Sequence, residues 1–169
     1  MREGCGMSRL DVFIDRMVSQ RTCIDFALAQ TAGLAGPVFE LGLGNGRTYD
    51  HLRDHVGAEK VYVFEREVAS NPASTPDPEM TLLGDVMETL PQALARFGAT
   101  ARLVHADLGG HNLEKNDRFA RLVSPLIEPI LAPGGMMVSS DRMYFKTLTE
   151  RPVPEGAVPG RCFTYQRMP

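Results

Sequence analysis

Residues 39–48 read FELGLGNGRT, and the spacing of their glycines decides how the chain folds. Ahead of them VFEL (38–41) is a short apolar run of the kind that forms a buried strand. Behind them RTYDHLRDHVG (47–57) reads as a short helix stopped by Gly57. Between the two stand Gly42, Gly44 and Gly46, alternating with other residues. Glycine at such positions lets a backbone approach a ligand closely and turn sharply into a helix. The loop is therefore built to hold something against its backbone.

Outward from this loop, strand-like and helix-like stretches alternate. KVYVFER (60–66), rich in β-branched and aromatic residues, reads as a second strand, and MTLLGD (80–85) as a third. Leu90, Ala93, Leu94 and Phe97 outline a helix that Gly98 ends. ARLVHAD (101–107) is a fourth strand. Phe119, Leu122, Val123, Leu126, Ile127, Ile130 and Leu131 make the cleanest helical stripe, which Pro125 and Pro129 are expected to bend. GGMMVSS (134–140) is a fifth strand and RCFTYQR (161–167) a late sixth. Near the start, Leu10, Phe13, Ile14, Met17, Ile24, Phe26 and Leu28 suit one long or two shorter amphipathic helices. Pro72, Pro76 and Pro78 exclude a long helix from 66–79, where a loop with at most one helical turn is expected.

This alternation implies an α/β fold with a doubly wound, mainly parallel sheet and additional N-terminal helices. The expected organisation is a helical cap, residues 1–35, on a core of residues 36–169, together one domain. Ligands in such sheets bind outside the carboxyl ends of the strands. The glycine loop, Glu65, Asp85, Asp107 and Asp141 all fall just after a strand.

Composition narrows the function. A chain of 169 residues is long enough to bury a sizeable core, and 43% hydrophobic with 23% charged residues is ordinary for a globular protein. The net charge of −3 argues against a nucleic-acid surface, which carries a basic excess. No apolar run approaches the roughly 18 residues of a membrane span. Asp11 and Asp15 interrupt the first apolar pattern, so no secretory signal is expected. Cys5, Cys23 and Cys162 are too few and too scattered for a disulfide framework, which fits a reducing cytoplasm.

The usual dinucleotide fingerprint is G-x-G-x-x-G, aimed at a pyrophosphate. Here the pattern is E-x-G-x-G-x-G, with Glu40 two residues before Gly42. An acid so placed disfavours a pyrophosphate and suits a zwitterionic or cationic ligand. With Glu65 nineteen residues beyond Gly46, the chain from 38 to 141 resembles the class I S-adenosylmethionine-dependent methyltransferases. FELGLGNG looks like their first motif, LLGD like their third-strand acid, and LVHAD and LAPGGMMVSSD like their fourth and fifth strands.

That resemblance implies a Rossmann-like fold and S-adenosyl-L-methionine as cofactor. It sets Glu40, Gly42, Gly44 and Gly46 at the methionine moiety, Glu65 on the ribose hydroxyls, and Asp85 with the Val86 N–H at the adenine. Asp107 would line the methionine or acceptor end. The absence of an added substrate domain favours a small-molecule acceptor; a homo-oligomer is compatible with the pattern.

Transfer to a hydroxyl also needs a base or a metal. His105, Asp107, His111 and Asp141, in the loops after strands four and five, are the candidate catalytic residues. Metal-dependent members have an Asp-Asn pair after strand five, but Arg142 follows Asp141 here, and guanidinium cannot ligate, so no metal is expected. His51 and His55 stand one helical turn apart, a spacing that can hold a metal. No third ligand is apparent, so a solvated face is expected. Two rival classes remain. One is a nicotinamide-binding oxidoreductase, against which Glu40 and the glycine spacing argue. The other is a methyltransferase-like protein that binds the cofactor without turnover.

Overall fold

The computed structural model describes residues 7–169, so the expectations for Cys5 and the first six residues lie outside the described residues. A single helix α1, Arg9–Gln30, starts at a capping box in which Ser8 accepts from the Asp11 N–H and Asp11 accepts from the Ser8 N–H. Its second half is buried through Cys23, Ile24, Ala27 and Leu28. Leu10, Phe13 and Ile14 in its first half remain 66%, 50% and 47% exposed, although their spacing led us to expect a buried stripe.

The chain continues through β1 (Val38–Leu41), α2 (Arg47–Val56), β2 (Val61–Glu65), β3 (Thr81–Leu83) and α3 (Val86–Phe97). It ends with β4 (Ala101–Ala106), α4 (Leu113–Ile127), β5 (Leu131–Ser139), β6 (Leu148–Arg151) and β7 (Phe163–Arg167). The seven-stranded sheet has the order β3-β2-β1-β4-β5-β7-β6. All adjacent pairs from β3 to β5 are parallel, and β7 runs antiparallel to both neighbours. Consecutive strands diverge between β1 and β4, so a crevice opens beyond their carboxyl ends.

Strand periodicity sorts the core into two layers. Phe39, Leu41, Phe64 and Val104 pack against Leu90 and Ala93 of α3 and Val123 and Ile127 of α4. Val38, Val61, Val63, Leu103 and Val138 pack against Ile24 of α1 and Leu52 of α2.

Four details differ from the sequence expectations. Strand β6 was missed because LTER is mostly exposed and polar, as an edge strand can be. Helix α4 passes through Pro125 and ends in a 3₁₀ turn at Glu128–Ile130. Strand β5 begins at Leu131, ahead of Ala132-Pro133. Residues 66–79, expected to hold at most one helical turn, contain one short 3₁₀ turn, Pro72–Ser74, and the start of a second, Pro78–Met80.

Candidate functional site

Two backbone contacts shape the glycine loop. Gly42 has φ +86°, and a β-carbon there would stand 2.8 Å from the Asp107 carbonyl oxygen. Gly46 has φ +88°, and its β-carbon would stand 2.6 Å from the Ser74 carbonyl oxygen. Only glycine permits both the conformation and the approach. The Asn71 N–H donates to the Asn45 carbonyl at 3.2 Å, so the proline-rich segment packs on the loop. Around Gly44, by contrast, the space where a β-carbon would stand is open.

A cavity of about 660 Å³ lies along this open side, lined by Gly42, Gly44, Glu65, Val86, Leu108 and His111, among others. A second pocket of about 280 Å³ adjoins it, lined by Arg16, His111, Ser140, Asp141 and Arg161. A narrower space of about 100 Å³ lies between Met17, Gln20 and the glycine loop. Asp107 lines all three.

Glu65 ends β2 at the cavity wall. Its Oε2 accepts from the Leu43 N–H at 2.7 Å and the Gly44 N–H at 3.2 Å, and its Oε1 accepts from the Arg66 N–H at 2.7 Å. The carboxylate thus fixes the shape of the glycine loop, and little of its accepting capacity is left over. Asp85 is the N-cap of α3, accepting from the Met87 N–H at 2.9 Å, and it also accepts from the Arg66 guanidinium at 2.5 Å. The Met87 N–H bond first, then the guanidinium, hold this carboxyl below its usual range. Val86, next to it, reaches the cavity wall.

Asp107 gathers three side chains, two from α1 and one from the turn after β5. Arg16 of α1 donates to both its oxygens at 2.9 Å, Gln20 donates at 3.3 Å, and the Ser140 hydroxyl donates at 2.7 Å. Asp141 is half-buried and accepts from the Asn116 amide at 3.1 Å. Burial raises its carboxyl, and the Asn116 bond opposes that only in part. His111 is exposed and lines both larger cavities.

Glu40 and His105 lie behind the cleft rather than in it. They are directly paired positions of β1 and β4, and both are fully buried. His105 Nδ1 is 2.6 Å from Glu40 Oε2, and the Thr48 hydroxyl donates to Glu40 Oε1. With Nδ1–H turned to Glu40, Nε2 is an acceptor, and the Gln20 amide donates to it at 3.2 Å. Burial opposes charge on this imidazole, but the Glu40 carboxylate, with Asp107 behind it, holds it above its ordinary range. His105 has no exposed atom with which to serve as a base toward a substrate, and Glu40 has no free oxygen to offer a ligand. Neither faces the cavity, which amends the roles the sequence suggested.

Arg16, Gln20, Ser140 and Asn116 were not foreseen. The Arg16–Gln20 spacing of one turn on α1 was legible, but its partner lies 91 residues further on. Residues Arg142 and Tyr144 turn away from the cleft. Arg142 pairs with Glu150 at 3.0 Å, and Tyr144 donates to Asp117.

The sequence profile of a family described as S-adenosyl-L-methionine methyltransferase matches residues 7–167. The chain belongs to that family. An S-adenosyl-L-methionine methyl transferase from Silicibacter pomeroyi DSS-3 is 72% identical, over 96% of this chain and 99% of that one, with a TM-score of 0.92. The 1,6-didemethyltoxoflavin-N1-methyltransferase of Burkholderia thailandensis, solved with 1,6-didemethyltoxoflavin and S-adenosylhomocysteine, has a TM-score of 0.58 at 16% identity. It covers 95% of this chain and 82% of that one, and shares the fold. No curated protein matches the sequence.

This methyltransferase therefore uses S-adenosyl-L-methionine, and its cavity suits that cofactor. The space is large enough, the backbone at Gly44 is open, and the polar wall carries Glu65 and Asp107 beside Arg66 and Lys115. The nicotinamide alternative falls with the family assignment. Glu40, however, does not itself disfavour a pyrophosphate as its place beside the glycines suggests, because it is buried and paired with His105 and cannot repel a phosphate directly. Among the described residues no helix is long and apolar enough to cross a membrane.

Proposed function

We propose that this methyltransferase transfers the methyl group to a small-molecule acceptor seated in the pocket beyond Asp107. Bound in the larger cavity, S-adenosylmethionine would supply an electrophilic methyl, to which the acceptor bonds as the carbon–sulfur bond breaks and S-adenosylhomocysteine leaves. The observation that carries the proposal is that Asp107 lines both cavities, while Arg16, Ser140, Asp141 and His111 converge on the smaller one.

In this reading the backbone at Gly42, Gly44 and Gly46 faces the methionine moiety. Glu65 exchanges part of its hold on the loop for the ribose hydroxyls. The Val86 N–H meets the adenine edge, and Asp85 joins it only if Arg66 gives way. Asp107 orients the junction of cofactor and acceptor, and Asp141, whose carboxyl burial raises, helps to orient the acceptor. His111 is the base for a hydroxyl acceptor. Glu40 and His105 are positioning residues that fix Thr48 and Gln20. Residues 1–35 act as a cap on the core 36–169, through Arg16 and Gln20. The net charge of −3 and a pocket of about 280 Å³ favour a small acceptor over nucleic acid. Cys23 and Cys162, buried and unbridged, fit a reducing cytoplasm.

The test is His111→Ala. It should lower turnover on a hydroxyl acceptor by about 10²–10⁴, while S-adenosylhomocysteine affinity stays within about twofold. Full turnover in this variant would remove His111 as base and point to an acceptor nitrogen or sulfur that needs none.

A further inference from the structure

Helices α1 and α2 cover the same face of the sheet, and on their outer side three metal-capable groups meet. Asp25 comes from α1, and His51 and His55 come from successive turns of α2. Their ligand atoms all lie within 4.8 Å of one another, and no other such group of three exists among the described residues. His51 Nε2 is 2.6 Å from Asp25 Oδ1, and His55 Nε2 is 4.0 Å from the same oxygen. The imidazole centroids are 4.3 Å apart.

The tautomer of His55 is settled by its other nitrogen. Nδ1 lies 2.8 Å from the His51 carbonyl oxygen, which can only accept. A proton is therefore on Nδ1, and in the neutral imidazole the Nε2 lone pair is free on the side of Asp25. A ligating histidine is typically oriented by such a bond from its second nitrogen.

We propose that Asp25, His51 and His55 form a binding site for a zinc-class divalent transition metal, tying α1 to α2. Two imidazoles and a carboxylate suit zinc and its neighbours, whereas magnesium and calcium favour sites made of oxygen alone. Tetrahedral bonds of about 2.0–2.2 Å set neighbouring ligand atoms roughly 3.3 Å apart. The 2.6 Å and 4.0 Å separations bracket that value. Small torsional changes in these partly exposed side chains close the difference, and water completes the fourth position. The sequence offered the histidine pair, and the fold supplies the third ligand from a helix 26 residues earlier.

The consequence reaches the cleft. Helix α1 carries Arg16 and Gln20 to Asp107, and α2 begins at Gly46 of the glycine loop. None of the three ligands lines the cofactor cavity. The metal would hold the cap in place and take no part in methyl transfer.

The test is calorimetric titration of chelator-treated protein with zinc, with cobalt as a spectroscopic probe. One zinc per chain should bind with a Kd below about 10 µM, and cobalt should give the visible absorption of a four-coordinate site. His51→Ala, His55→Ala and Asp25→Asn should each weaken binding at least about tenfold, with circular dichroism confirming that each variant is folded. Affinity no tighter than about millimolar in the parent protein would overturn the site. So would zinc binding that survives both histidine substitutions, since the metal would then sit elsewhere.

Discussion

Along β1 and β4 successive side chains leave opposite faces of the sheet. Phe39, Leu41, Val104 and Ala106 turn to α3 and α4, whereas Val38, Glu40, Leu103 and His105 turn to α1 and α2. The first face is closed mainly by apolar contact, and its buried hydroxyls, such as Ser124 and Tyr165, bond backbone groups. The second has an acid–imidazole pair at its centre, and through Gln20 and Thr48 that pair reaches Asp107 and the first turn of α2. Desolvating such a pair is costly, and it is tolerated only when every polar atom finds a partner. No buried side-chain nitrogen or oxygen among the described residues lacks one. One face therefore serves stability, and the other also fixes where α1 and the glycine loop meet.

The largest expected effect breaks the comparison at its centre. Glu40→Ala strands a buried imidazole and should cost about 3–5 kcal/mol, while Leu90→Ala on the apolar face should cost about 2–5 kcal/mol. Denaturant unfolding will give similar losses. Cofactor affinity per folded molecule separates the two faces: it should fall in Glu40→Ala and hold in Leu90→Ala. Equal affinities would mean that the polar layer is structural only.

Glu65→Ala sharpens the same contrast from the cleft side. Loss of its bonds should cost about 1.5–3 kcal/mol of cofactor binding, measured with S-adenosylhomocysteine, and some stability as well, through the three backbone N–H groups it holds. An unchanged affinity would take Glu65 out of the site.

A smaller effect concerns pH. The folded protein holds His105 above its ordinary value near 6.5, so the stabilisation is fully present below that value. It is lost as pH rises through the folded titration. The melting temperature of the parent protein should therefore fall relative to His105→Gln as pH increases from about 6. Parallel curves would show that His105 titrates at the same pH in the folded and unfolded chain, contradicting the raised folded value. Protonation at Nε2 also requires Gln20 to present its carbonyl oxygen, which gives up the Gln20 bond to Asp107.

The fold was legible because the strands that matter are buried on both faces and so read as apolar runs, each ending in a glycine or an acid. VFEL matched β1 residue for residue. What escaped was whatever depends on distant partners or on exposure. LTER carries no apolar pattern, yet it pairs with β7 as an edge strand. Leu10, Phe13 and Ile14 carry the pattern and stay exposed. In the site, adjacency to glycine placed Glu40 at the ligand, whereas strand alternation turns it into the layer beneath α1. The β1–β4 register that pairs it with His105 could not be read from either strand alone. The same holds for Arg16 and Gln20, whose roles exist only once α1 folds over Asp107.

Asp107 is where the polar face of the sheet, α1 and both cavities meet. Calorimetric titration of Asp107→Ala with S-adenosylhomocysteine tests it most directly. Hydrogen bonds to a charged group are worth about 1.5–3 kcal/mol, so affinity should drop by roughly 10- to 150-fold in a protein that remains folded. An affinity equal to that of the parent chain would contradict Asp107 as the junction of the site.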